Sequence, residues 1–340
     1  MFSKNETSEC GQIRTPEVII VPSNTMKDDD VIILFGQCRS APANALSGLG
    51  DDMRGTRIVM TRSLDNGVSW SPMTFLTERG YSVGAALYDR NSKTIILQYQ
   101  KFLSANPYEN STLMQVTSTD AGLTFSAARN IQHFIDSCNE ATPTKGMVAG
   151  AAGSRIQTSS GRLMFSGHNN GAICVWTSDD GGKTYQTGPP IKGDEHSLVE
   201  LSDGRIYMNG RGQLFSWKGH RTNYFSSDGG RTWSTPSACQ IEEPNNFGCD
   251  ASLTSATIPG MKKKALFFAE PHGPVERISL MLHCSIDDAK TWSSWLEVNP
   301  LSVAGYSAMV PLRTNPSTLL VIWEKQPTML SYAFNVTWCH

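Results

Sequence analysis

An eight-residue pattern, S-x-D-x-(G/A)-x-(T/S)-aromatic, occurs five times in this chain of 340 residues, and no other feature restricts its fold so strongly. The copies occupy 63–70 (SLDNGVSW), 118–125 (STDAGLTF), 178–185 (SDDGGKTY), 226–233 (SSDGGRTW) and 285–292 (SIDDAKTW). They begin 55, 60, 48 and 59 residues apart, which is the length of a four-stranded propeller blade with its loops. Within each copy the Asp is suited to accept backbone N–H groups two or three residues on, and the Gly to take a positive φ. Ser and Thr tie the ends, and the aromatic fills the space between blades. The box is therefore read as a hairpin fastener without chemistry of its own. Its last copy has Ala289 in place of Gly, which implies a strained or reshaped turn.

The segments between the boxes read as strands. Runs such as VIILFG (31–36), TIILQYQ (94–100), KALFFAE (264–270) and LLVIWE (319–324) are short, rich in β-branched and aromatic residues, and bounded by Gly, Asn, Asp or Ser. No segment combines helical periodicity with caps, so the chain is all-β. Five boxed blades, plus C-terminal strands at 305–311 and 319–324 completed by an N-terminal strand at 17–21, make a six-bladed β-propeller. It spans 1–340 as a single domain, its ring closed by strands from both ends.

Charge and composition exclude several classes of function. The formal net charge is −2, and Lys262-Lys263-Lys264 reads as a solvated hairpin tip, so nucleic acid is not an expected partner. No apolar run is long enough to span a bilayer. The first residues, MFSKNETSECGQ, lack the apolar centre of a signal peptide. The seven histidines fall in no H-E-x-x-H or other metal spacing, and no Cys spacing fits a zinc site. No Gly-rich phosphate loop leads from a strand into a helix, so no metal and no cofactor is expected. Three N-x-S/T sequons, at Asn5, Asn110 and Asn335, together with eight cysteines, lean towards an extracellular or secretory and lysosomal protein, with a cytoplasmic one as the alternative. The ends of a closed ring meet, which pairs Cys10 with Cys339. Cys239 and Cys249 flank one loop and can pair, and Cys38, Cys174 and Cys284 read as buried free thiols within apolar strands.

Certain charged and aromatic residues recur at strand ends. Arg14 opens R-T-P before the first strand, Arg211 ends YMNGR, and Arg277 begins RISL one strand before the fifth box. Glu195 lies in DEHSLVELSDGRIYMNGR, Tyr306 in AGYSA, and Asp52 six residues before Ile58. On these motifs residues 11–326 resemble the sialidase (neuraminidase) superfamily. The resemblance implies a retaining exo-α-sialidase that removes terminal sialic acid, or a related nonulosonic acid such as Kdn, from glycoproteins, glycolipids or oligosaccharides. Arg14, Arg211 and Arg277 then grip the sugar carboxylate through guanidinium forks. Tyr306 is the nucleophile, a neutral phenol that avoids the repulsion an anionic carboxylate would meet at this centre; the tyrosine of sialidases is a known exception to the two-carboxylate rule. Glu195 takes the phenolic proton, and Asp52 is the acid/base. Glu324 orients Arg14, and Arg39 faces the sugar's C4 hydroxyl or C5 substituent. The chain departs from the family pattern at Ile13 and Thr15 around Arg14, and at 81–85 (YSVGA) after the first box, which leaves the choice between N-acylated and deaminated sugars open. Transfer to another glycan, elimination within the sugar, and a non-catalytic sialoglycan-binding propeller are the alternatives.

Overall fold

A computed structural model describes residues 10–23, 30–39, 56–103, 111–140, 148–149, 153–169, 171–212, 219–242, 248–273, 277–298, 300–325 and 327–339. Asp52 and the sequons at Asn5 and Asn110 lie outside these residues. The apolar runs form antiparallel strands grouped in six sheets. Blade 1 holds β1 (Gln12–Val21), β2 (Val31–Arg39), β3 (Arg57–Ser63) and β4 (Thr74–Phe75). Blade 2 holds β5 (Tyr81–Asp89), β6 (Thr94–Phe102), β7 (Ser111–Ser118) and β8 (Arg129–Asn130). Blade 3 has β9 (Val148–Ala149), β10 (Arg155–Gln157), β11 (Leu163–Asn169), β12 (Ala172–Ser178), β13 (Gln186–Thr187) and β14 (Ile191–Lys192). Blade 4 has β15 (His196–Glu200), β16 (Ile206–Gly210), β17 (His220–Ser226) and β18 (Ser237–Glu242). Blade 5 comprises β19 (Ser252–Ala256), β20 (Ala265–Pro271), β21 (Leu280–Ser285) and β22 (Ser293–Glu297), and blade 6 comprises β23 (Ser307–Pro311), β24 (Thr318–Lys325) and β25 (Thr328–Asn335). The inner strands β1, β5, β10, β15, β19 and β23 touch in that order, and β23 returns to β1. The molecule is a six-bladed β-propeller.

Burial follows position in the blade. Every residue of β20 (ALFFAEP) is buried, because sheets cover both of its faces, whereas the outer strand β18 (SACQIE) alternates exposed and buried over its last four residues. The cores lie between blades. Ile33 and Phe35 of blade 1 pack with Ile95 and Leu97 of blade 2, and Val199 and Tyr207 of blade 4 pack with Leu266 and Phe268 of blade 5. Each such side chain contributes about 1.5–3 kcal/mol by leaving water, so the ring is held by many moderate contacts.

All five boxes fold alike, as turns joining third to fourth strands. The Ser hydroxyl donates to the Asp carboxylate at 2.8–2.9 Å. The same Asp accepts the backbone N–H four residues on, at 2.8–3.0 Å, and in three boxes also the N–H three residues on that the sequence suggests, at 3.0–3.1 Å. The aromatics reach the preceding blade: Tyr185 Oη donates to Gln115 Oε1 at 2.6 Å, and Trp292 lies 6.3 Å from the Tyr207 ring. At Ala289 the turn persists with φ 65, and its N–H still reaches Ser285 Oγ at 3.1 Å, so the substitution is absorbed as local strain. The position is less forgiving at Gly230, where φ is 85 and an added Cβ would overlap Met164 Cε. Gly230→Ala is expected to destabilise the protein by about 2 kcal/mol or more, read as a lower urea midpoint at unchanged slope. A midpoint equal to wild type would contradict the packing.

Two expectations are corrected. The segment 17–21 belongs to β1, the inner strand of blade 1, and does not complete the last blade. Among the described residues blade 6 consists of β23, β24 and β25, the last following β24 after two residues. The seam is bridged instead by Ile13 N–H donating to Pro327 O at 2.9 Å. The cysteines also pair differently. Cys10 joins Cys38, Cys138 joins Cys174 and Cys284 joins Cys339, while Cys239 and Cys249 are free and buried. The reason is local reach: Cys10 precedes β1 beside its hairpin partner β2, with Cα atoms 5.2 Å apart. The chain after β25 folds back against β21, in one core with Val336 and Leu282, so Cys339 meets Cys284.

Candidate active site

Adjacent strands of a blade run in opposite directions, so the start of a first strand, the end of a second and the second-to-third connection share one end of the ring. All the predicted site residues within the described segments belong there. Glu195 precedes β15, Tyr306 precedes β23, and Arg14 is the third residue of β1. Arg211 follows β16, Arg39 ends β2, and Arg277 lies on the connection from β20 to β21. The boxes occupy the opposite end.

Arg14 is buried and donates from Nε to both oxygens of Glu324 at 3.2 Å and from Nη2 to Oε2 at 3.1 Å. The same carboxylate accepts the Thr15 N–H at 2.6 Å and the Tyr306 N–H at 3.2 Å. Register explains the arrangement: Ser307 pairs with Trp323, which sets Glu324 beside Tyr306. Gly305 is obligatory, since a Cβ there would overlap the carboxylate. A register shift between Arg14 and Glu17, with Thr15 at φ 52, bends β1 and re-aims Arg14.

A second chain of contacts crosses from blade 6 to blade 4. Tyr306 Oη donates to Glu195 Oε1, and Arg211 Nη1 donates to Glu195 Oε2 at 2.7 Å. The guanidinium carbons of Arg14 and Arg277 lie 5.1 and 5.5 Å from the Tyr306 ring centroid, so both cations stand over the phenol. Arg39 donates from Nε and Nη2 to Gln37 Oε1 at 3.1 and 2.9 Å, and Gln37 sits opposite Arg14 in the β1–β2 register. The fold thus gathers Arg14, Arg211, Arg277, Glu195, Tyr306 and Glu324, with Arg39 on the neighbouring strand.

The titration states are set by burial and these neighbours. Burial would raise the Glu195 carboxyl, but Arg211, His168, the Tyr306 hydroxyl and Arg277 outweigh it and hold the group at about 2. Burial, then the Glu195 charge, pushes the Tyr306 phenol well above its ordinary value, against the pull of Arg277 and Arg14. His196 is drawn down to about 3 by burial and stays neutral, its ring spanning Asp194 O at 2.8 Å and Ser166 Oγ at 2.7 Å, which steadies the turn bearing Glu195. Because the folded Glu195 value lies below the unfolded one, ionised Glu195 stabilises the fold fully above about pH 4.5, and this is lost as pH falls towards 2. Glu195→Gln should therefore flatten the dependence of melting temperature on pH between about 5 and about 3. A wild-type slope in the variant would count against the assignment.

Three further groups escaped sequence reasoning. Cys249 is buried, its thiol pushed up to about 12 by burial despite nearby Arg277. Asp250 is buried two residues before β19, and burial together with the Glu195 charge raises its carboxyl well above the usual range. His168 Nε2 stands 3.7 Å from Asp194 Oδ1. Asp250, like Glu195 and Tyr306, stands just ahead of an inner strand, but its nearness to Glu195 depends on the packing of blade 5.

Comparison with known proteins agrees with this architecture. The family model described as BNR repeat-like domain matches residues 59–316. A sialidase of Micromonospora viridifaciens is 29% identical over 320 residues, covering 83% of this chain; the match spans 47% of that protein's length. Among solved structures, the NanB sialidase of Streptococcus pneumoniae superposes with a TM-score of 0.82 at 14% identity, over 100% of this chain and 70% of the other. The intramolecular trans-sialidase of Ruminococcus gnavus does so with a TM-score of 0.76 at 14% identity, over 98% and 96%. With five recurring boxes, six blades and a family match across most of its length, the chain belongs to the BNR repeat-like domain family, within the sialidase superfamily.

Proposed function

We propose that this propeller is a retaining exo-α-sialidase acting on terminal sialic or related nonulosonic acids of glycoproteins, glycolipids or oligosaccharides. The observation that carries the reading is the Arg211–Glu195–Tyr306 chain beneath two further guanidiniums. Arg14, Arg211 and Arg277 hold the sugar's carboxylate, leaving the anomeric carbon over the phenolic oxygen. Tyr306 Oη attacks that carbon as Glu195 accepts its proton, and Asp52 protonates the departing glycosidic oxygen. Water activated by Asp52 then displaces the tyrosyl oxygen, which recovers its proton from Glu195, and two inversions give net retention. The raised phenol and the depressed carboxyl keep the proton on Tyr306 until the new C–O bond forms, so the resting nucleophile is neutral beside an anionic substrate.

The three disulfides and the exposed sequon at Asn335 support an oxidising, secretory setting, and the closed set of inner strands supports one domain over 1–340. Fluorophore release from a 4-methylumbelliferyl sialoside tests the activity, with mass analysis of the sugar product. Free sugar supports hydrolysis, and an anhydro sugar or a sialylated acceptor supports transfer. No turnover of either the N-acetyl or the Kdn glycoside would sink the catalytic reading and leave a binding propeller.

A further inference from the structure

We propose that Glu270, His272 and His283 form a binding site for a zinc-class divalent metal ion, separate from the glycosidic chemistry. The histidines match no linear metal motif, and the grouping of these three side chains arises only through the fold. Phe268 of β20 pairs with His283 of β21, so Glu270, two residues beyond Phe268, shares the face of His283 and lies diagonally beside it. His272 lies just past the end of β20, two residues beyond Glu270. The donor atoms, one from each side chain, all lie within 4.8 Å of one another.

Glu270 Oε1 lies 3.4 Å from His272 Nδ1, a long hydrogen bond, and 3.4 Å from His283 Nε2. Ligands about 2.0–2.2 Å from a tetrahedral zinc stand roughly 3.3–3.5 Å apart, so the carboxylate already stands at ligand spacing from each imidazole. The imidazole rings, with centroids 5.8 Å apart at 64°, are splayed, as two ligands on different edges of one ion must be.

The surroundings fit as well. Glu270 Oε2 is engaged by the buried Arg221 Nη1 at 3.6 Å, which orients the carboxylate and leaves Oε1 for the ion. Arg221 is itself fixed by Asn209 Oδ1 and by Cys249 O, and it lies over the Phe268 ring. Glu270 and His283 are buried, while 29% of the His272 side chain is exposed, giving an ion a path in and a water ligand a place. Glu242 and Glu297 add negative charge around His272. Two imidazoles with one carboxylate favour zinc and its neighbours over calcium or magnesium. Bound there, the ion clips β20 to β21 at the root of the connection that carries Arg277.

The test uses purified protein stripped with a chelator and titrated with Zn(II) by calorimetry, with Co(II) as a spectroscopic probe, and needs no assay of activity. Wild type should bind a single equivalent of Zn(II), give the intense visible bands of tetrahedral Co(II), and gain about 4 °C in melting temperature at a hundredfold excess over Kd. Loss of even a supporting contact weakens metal sites about 10–100-fold, so His272→Ala and His283→Gln should weaken Zn(II) at least a hundredfold. If His283→Gln does not fold, His272→Ala decides alone. Absence of saturable binding, wild-type affinity in His272→Ala, or equal preference for Ca(II) overturns the proposal.

Discussion

Replacing Tyr306 with Phe should lower kcat on a 4-methylumbelliferyl sialoside by about a thousandfold or more while leaving KM within a few-fold. The size follows from the proposed role: without the phenolic oxygen no covalent intermediate forms, and loss of a nucleophile costs orders of magnitude in hydrolases that use one. In the proposed role Arg14, Arg211 and Arg277 hold the sugar carboxylate, and Arg211 stays paired with Glu195 when the phenolic hydroxyl is removed, so ground-state binding survives. Stability should change by about 1 kcal/mol at most, because the ring keeps its packing and Glu195 keeps Arg211. Unchanged turnover in this variant removes Tyr306 from the mechanism, and a large rise in KM alone would recast it as a binding residue.

Glu324→Ala should be the most damaging change to both fold and activity. In wild type one carboxylate satisfies the buried Arg14 guanidinium and two backbone N–H groups, those of Thr15 and Tyr306. Removing it takes the paired carboxylate from a cation with almost no access to water, which costs about 3–5 kcal/mol, or about 4–7 °C in melting temperature for a chain of this size. Activity should fall further than stability, since Arg14 loses its aim and the Tyr306 backbone its anchor. A variant that melts like wild type would show that Arg14 is neutralised by some other means.

What could be read in advance divides along a physical line. The boxes were legible because their chemistry is local: Ser, Asp, Gly and Thr satisfy one another within eight residues, and the strands on either side announce themselves by β-branched runs. Arg14, Arg211, Arg277, Glu195 and Tyr306 were legible because each stands at a strand terminus in a recognisable motif, and blade geometry does the rest. Features resting on distant packing were not. The partner of Cys339 depends on where the chain turns after β25, and β25 itself (TMLSYAFN) has a mixed pattern, half-exposed on the outer edge of blade 6. His272 and His283 become neighbours only through the register of β20 with β21, and Asp250 gains meaning only when blade 5 is set beside Glu195.

The ion pair between Arg14 and Glu324 joins residues 310 positions apart and lies across the join between the first blade and the last. On the proposed reading the carboxylate grip exists only while the circle is shut, and loosening that join should abolish turnover without unfolding any single blade. Under gradually increasing urea, fluorophore release should fail before tryptophan emission reports collapse of the interblade cores, which makes turnover a gauge of whether the two ends of the chain have found each other.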